Sequence, residues 1–210
     1  MTEETFLQAL EFTGRVELLA WMAGCPRTLL LSGGECTDHP DFVRFLELTI
    51  SRGFFPMVLT HGMWLDNLEL RAAILRPEWT NMMVQVTYDP RFYPPPGPPR
   101  IEDPRVVYIE TLSGLLPLGR AGRRPDLHQL GVPWKKAPSS FNLRSAARHL
   151  GSIEQAILML RQRTMSGLSG HCIPTVNNTG EVMAGETRNC YVIGTVHSTN
   201  AELTQALVNM

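Results

Sequence analysis

The chain has 210 residues, 43% of them hydrophobic and 19% charged, with 19 basic side chains against 20 acidic ones and a formal charge of −1. This balance excludes a disordered, collagen-like or membrane-embedded class, and it removes the electrostatic reason to expect nucleic acid or an anionic membrane as partner. At roughly 100 to 200 residues per domain, the length suffices to bury a core without disulfide or metal staples.

No apolar run reaches the ~18 residues needed to span a bilayer. The opening residues Met1, Thr2, Glu3, Glu4 and Thr5 are acidic, unlike a secretory signal, so a cytoplasmic protein is expected. The four cysteines, Cys25, Cys36, Cys172 and Cys190, form no CxxC pair and are too scattered for a disulfide framework.

Apolar residues Phe6, Leu7, Leu10, Val16, Leu18, Leu19 and Met22 recur at three and four spacing, which predicts a core-facing helix over residues 3–22. Cys25-Pro26 ends it. Thr28-Leu29-Leu30-Leu31 reads as a short buried strand that stops at Ser32-Gly33-Gly34. A helix is expected over 38–53, with Asp38 as N-cap, Pro40 in its first turn and Gly53 past its end. A strand over 54–60 breaks at His61-Gly62, and Asp66 or Asn67 caps a helix through Leu75. Met82 to Thr87 forms the next strand, ending at Asp89-Pro90.

Residues 90–104, with Pro94-Pro95-Pro96 and Pro98-Pro99, cannot continue a helix or a central strand and read as a surface excursion. A strand at 106–111 follows, then a Gly- and Arg-rich loop at 117–124. Ser139, Ser140 or Asn142 caps a helix running through Leu160, which Gly151 kinks or divides. The runs 173–176 and 182–183 flank Asn177-Asn178-Thr179-Gly180, a hairpin signal. Met82, Met83, Met159 and Met165, like Trp64, Trp79 and Trp134, read as packing residues.

Helices alternating with short buried strands predict an α/β fold of parallel βαβ units. In such folds ligands sit at the carboxyl ends of the strands. That rule selects Ser32 to Cys36, Thr60 to Gly62, and Thr87 to Asp89 as one rim. Gly33 and Gly34 let a ligand approach the backbone, and the Glu35 carboxylate beside free N–H groups suits the amino and carboxyl groups of an amino acid. The same Gly-Gly-Glu also reads as an ordinary strand-to-helix turn, and His61 as a capping or solvent-facing side chain.

Taken in order, Leu30-Leu31-Ser32-Gly33-Gly34-Glu35-Cys36-Thr37-Asp38-His39-Pro40-Asp41-Phe42, Leu59-Thr60-His61-Gly62 and Val84-Gln85-Val86-Thr87-Tyr88-Asp89 resemble the radical S-adenosylmethionine (SAM) superfamily. Its members read SGGEPTLHPDF, then LTNG, then a strand ending in S-x-D. Cys36 stands for the usual proline and His61 for the usual asparagine. Leu116 to Ala121 is similar to a post-strand GRA loop, and the stretch from Cys172 to Cys190 to a C-terminal extension that in some members holds an auxiliary iron–sulfur cluster.

The resemblance implies an incomplete parallel (β/α) barrel over 1–165, missing its first strand, and an extension with a short β-hairpin over 166–210. It implies a SAM-type pocket with Gly33, Gly34 and Glu35 near the amino group, Thr87 and Asp89 near the ribose or carboxylate, and Thr60 and His61 lining the cavity. Arg120, Arg123 and Arg124 are candidate anion contacts or a solvated loop. The family's four-iron four-sulfur cluster needs a CxxxCxxC loop, which this sequence lacks; Cys36, Cys172 and Cys190 are the remaining candidate ligands, too few for a cluster.

Two functions compete. One is a radical SAM enzyme acting on a small-molecule or peptide substrate, its cluster loop supplied from upstream sequence or a partner subunit. The other is a non-catalytic binding or protein-interaction module on the same scaffold. The missing first strand leaves an exposed sheet edge at which a second copy or a partner is expected.

Overall fold

The computed structural model describes residues 1–88, 96–110, 141–164, 174–184 and 191–210. The chain divides into two compact units, Arg27–Lys136, and Met1–Pro26 together with Ala137–Met210. The fold is mixed α/β, with one four-stranded parallel sheet and one small antiparallel sheet.

In the first of these units, β1 (Thr28–Leu31), β2 (Phe55–Thr60), β3 (Met83–Tyr88) and β4 (Val106–Glu110) lie side by side in chain order, all parallel. Val58, Val84 and Val106 fall on one cross-strand row, and Thr60, Val86 and Tyr108 on the next. Because side chains alternate along a strand, these rows share a face. They join Phe42, Leu46, Trp64, Leu65, Ile74 and Trp79 in one apolar core. The helices between the strands, α3 (Phe42–Ser51) and α4 (Leu68–Ile74), supply Phe42, Leu46 and Ile74 to it. On the opposite face of β4, Val107 and Ile109 are exposed.

The helix expected over 38–53 starts later, at Phe42, and Cys36–Asp38 forms a separate 3-10 turn. Asp38 caps nothing there; the Glu35 side chain accepts the Thr37 N–H instead. Between Asp66 and Asn67, it is Asn67 whose side chain accepts from the Leu70 N–H at the start of α4.

The described end of the proline-rich excursion returns over the sheet. Tyr108 Oη donates to the Pro99 carbonyl (2.9 Å) and accepts the Ile101 N–H (3.0 Å). Arg105 then fastens the C-terminal end of α4: its guanidinium donates to the carbonyls of Leu75, Arg76 and Trp79 and to the Asp103 carboxylate. That hydrogen bonding holds the Asp103 carboxyl below its ordinary range and the Arg105 guanidinium above its own.

In the other unit the helix expected over 3–22 is two helices, α1 (Glu3–Val16) and α2 (Leu18–Met22). The break falls at Glu17, whose backbone leaves the helical region (φ −97°, ψ 4°). Glu17 is 2% exposed and both its carboxylate oxygens accept from Arg161 Nη2 at 2.8 Å. The i→i−4 hydrogen bonds of Glu17 N to the Thr13 carbonyl and of Trp21 N to the Glu17 carbonyl persist across the break, and Arg161 supplies the partner that a buried carboxylate needs. Gly151, at φ 67°, divides the second long helical stretch into α5 (Phe141–Leu150) and α6 (Ile153–Thr164).

The hairpin β5 (Pro174–Val176) and β6 (Glu181–Ala184) forms around Asn177 to Gly180, and β7 (Tyr191–Thr195) pairs with β6 to complete an antiparallel sheet. The last helix, α7 (Asn200–Asn209), opens with a capping box between Thr199 and Glu202. Phe12, Val16, Leu143, Ile157, Val182 and Leu203 are among the side chains of this unit's core.

Candidate functional site

The strand ends of the parallel sheet bring Glu35, Thr60 and His61 together. Glu35 follows a turn in which Gly33 and Gly34 have φ of 108° and 54°, values that L side chains rarely adopt. Nothing lies within 4 Å of where a Cβ on either glycine would stand, so this turn is open on its outer side. The turn folds the Glu35 side chain back onto the end of β2.

There the carboxylate collects donors. Oε1 accepts from Thr37 Oγ1 (2.5 Å), Thr37 N (3.3 Å) and Thr60 Oγ1 (2.7 Å), and Oε2 from the His61 N–H (2.9 Å). His61 Nε2 lies 3.2 Å from the same Oε2. A carboxylate has about four lone-pair sites, so Glu35 is saturated by the protein itself. At 7% side-chain exposure it acts as a clamp between the β1 turn and β2.

The proton positions follow from the donor inventory. Thr60 Oγ1 accepts the Gly62 N–H (3.0 Å) and the Trp64 Nε1–H (2.9 Å), so its own proton goes to Glu35. His61 Nδ1 accepts the Met63 N–H (3.0 Å), which places the proton of the neutral ring on Nε2, facing Glu35. Gly62 completes the corner at φ 81°; a Cβ there would stand 2.5 Å from Val86 Cγ1 and 3.1 Å from Pro98 Cβ.

Thr87 is not part of this cluster. Thr60 pairs in register with Val86, so Thr87 faces the other side of the sheet, where Gln85 Nε2 donates to its hydroxyl (3.5 Å). Asp89, Cys172, Cys190, Arg120, Arg123, Arg124, Met165, Trp134, Ser139 and Ser140 lie outside the described residues.

Thr37 and Trp64 are members that the sequence reading passed over. Trp64 is 7% exposed and its indole N–H requires an acceptor when buried, which is the signal that pointed to a polar neighbour. Thr37 stands two residues after Glu35, the spacing at which an acidic side chain bonds back to the chain.

Cys36 stands where the ends of β1 and β2 meet. Its single S–H has the carbonyls of Leu59 (3.4 Å) and Leu31 (3.7 Å) in reach as acceptors, at the ends of β2 and β1. Burial, helped by the Glu35 carboxylate, pushes the thiol up to about 12. Among the described residues no group of three His, Cys, Asp or Glu side chains is placed to hold a metal ion.

An open cleft of about 450 Å³ lies in the other unit, lined by Glu11, Phe12, Arg15 and His197 among others. Its cation is already engaged: Arg15 donates to Asn200 Oδ1 (2.7 Å) and the Ser198 carbonyl (2.8 Å). The strand-end cluster, where buried polar groups converge at the carboxyl ends of two neighbouring parallel strands, is the better candidate.

Compared with known families, curated proteins and solved structures, the chain matches no family model, no curated protein and no solved structure. No helix among the described residues is long and apolar enough to cross a membrane.

Proposed function

We propose that the chain is a binding domain of radical SAM-like build, whose strand-end rim takes SAM or a related aminoacyl nucleoside, and which is not a complete catalyst by itself. The observation that carries the reading is the clamp: Glu35 holds the open Gly33-Gly34 turn against Thr60 and His61 at the carboxyl ends of two neighbouring parallel strands. The order of these residues is the order of the family's motifs, and the position is the one where parallel α/β sheets bind ligands.

The roles differ from a simple side-chain contact. With the Glu35 carboxylate saturated, an incoming ammonium meets the backbone carbonyls of the turn, with the Glu35 charge behind them. The carboxylate of the ligand meets backbone N–H groups that a glycine pair exposes. Thr87 reaches a ligand only from the opposite face of the sheet. The radical chemistry of the family requires a cluster that the described residues do not fit, and no reaction step is assigned to this chain.

Titration calorimetry of the whole chain with SAM tests the reading. One molecule should bind per chain, and Gly33→Ala, which forces a side chain into φ 108°, should weaken binding about tenfold, a loss of about 1.4 kcal/mol. Absence of binding at about 1 mM SAM, where even a free energy of about −4 kcal/mol would register, overturns it.

One observation favours a second reading, a module that pairs with another copy through its sheet edge. Among the described residues β1 stands at the end of the strand order, and Leu29-Leu30-Leu31 carries no charge or proline to blunt that edge. Light scattering across a concentration series decides it: a dimer that Leu30→Lys dissociates supports edge pairing, and a monomer throughout removes it.

A further inference from the structure

The clamp has a component that comes from the core rather than the rim. Trp64 lies in the 3-10 turn Met63–Asp66, buried with Val58, Leu65, Ile74 and Val86, and its Nε1–H reaches Thr60 Oγ1 at 2.9 Å. From the geometry we infer that Trp64 is the positioning residue of the rim, fixing Thr60 so that Glu35 and, through it, the Gly33-Gly34 turn are held in their binding arrangement. This inference rests on the binding reading for its functional consequence, but not for its structural content.

A threonine hydroxyl has one donor and two acceptor sites. In Thr60 both acceptor sites are filled, by Gly62 N–H and by the Trp64 indole, and the single donor is thereby aimed at Glu35 Oε1. Without the indole N–H, one lone pair of a buried hydroxyl is free and the hydroxyl proton gains alternative directions. The Glu35 bond then loses its fixed geometry. Because Thr60 is 5% exposed, water does not readily restore the missing donor.

The chain of contacts runs indole to hydroxyl to carboxylate to the backbone N–H of His61, joining the apolar core to the strand-end cluster. Each link is a hydrogen bond of 2.9 Å or less. A charged acceptor at the end of such a chain polarises the links before it, so a change at Glu35 is felt at Trp64. That coupling is what a role in packing alone would not produce.

The test uses the Trp64 indole signal in ¹H–¹⁵N spectra of the whole chain, assigned by its loss in Trp64→Phe. Thr60→Val should move it to the position of an indole without a hydrogen-bond acceptor, Thr60→Ser should restore it, and Glu35→Gln should shift it although that residue does not touch the indole. A signal unchanged by Glu35→Gln, or one that Thr60→Ser fails to restore, overturns the inference whatever the ligand does. The second arm is calorimetry with SAM: Trp64→Phe, which keeps an aromatic side chain in the core, should bind about tenfold more weakly than the wild type. Wild-type binding matched by Trp64→Phe overturns the functional half. Failure of the wild type itself to bind counts against the proposed function, while the spectra still decide whether Trp64 positions Thr60 and Glu35.

Discussion

Replacing Glu35 by glutamine keeps the shape of the side chain and changes one oxygen into a donor. Whichever way the amide turns, its NH2 faces donors: the His61 N–H and Nε2 on one side, or the two Thr37 groups and the Thr60 hydroxyl on the other. The cheaper orientation leaves two donors without an acceptor, each costing about 1–3 kcal/mol when buried. The expected loss is about 3 kcal/mol, a large fraction of the 5–15 kcal/mol that typically holds a domain together. The assay is urea unfolding of the whole chain, followed by a probe in residues 27–110, because two compact units need not unfold together. The matched control is Glu47→Gln, which alters an exposed pair with Arg44 (3.0 Å) and should cost less than about 1 kcal/mol. Equal small losses in both variants would refute the claim that Glu35 is a clamp.

The Cys36 thiol, pushed up to about 12 by burial and by Glu35, is thiolate in only about one molecule in ten thousand at pH 8. A disulfide reagent should therefore leave it unmodified in the native protein and titrate it after unfolding; rapid native labelling of Cys36 would contradict the geometry. Glu17 has its carboxyl raised by burial against the opposing pull of Arg161, so the folded chain keeps this proton to higher pH than the unfolded chain does. Stability from this group is accordingly complete below the ordinary value of 4.5 and declines as pH rises through the folded value. Unfolding curves should show the wild type losing ground to Glu17→Gln as pH rises; a constant or opposite difference would reverse the sign. Gly62→Ala puts a methyl group 2.5 Å from Val86 Cγ1 at φ 81°, and should destabilise by about 1–3 kcal/mol in thermal unfolding, an effect that a neutral result would disprove.

Much of the fold is legible in the order of residues because its cause is local. Thr28 to Leu31, residues 55–60 and 83–88 are short apolar runs bounded by glycine, proline or polar breaks, and each is a strand of the parallel sheet. Asn67, whose side chain caps α4, and Gly151, whose backbone parts α5 from α6, act within a few positions of themselves and are readable for the same reason. The last helix also left a local mark, Thr199 with Glu202 three residues on, a signal that the reading of apolar periodicity overlooked.

What the sequence by itself determined, then, is where strands end and which polar residues stand at those ends, since both depend on neighbours within a few positions. Only the tertiary structure decided how those residues spend their hydrogen bonds. Register sends Thr60 to one face and Thr87 to the other, although Thr60 closes β2 and Thr87 stands one residue before the end of β3. Arg161, 144 positions from Glu17, supplies the partner of its buried carboxylate, and Glu35 is turned from an apparent ligand contact into a clamp by partners 25 and 26 residues away. Burial removes water as an alternative partner, so each of these groups is assigned by whatever the fold brings within reach.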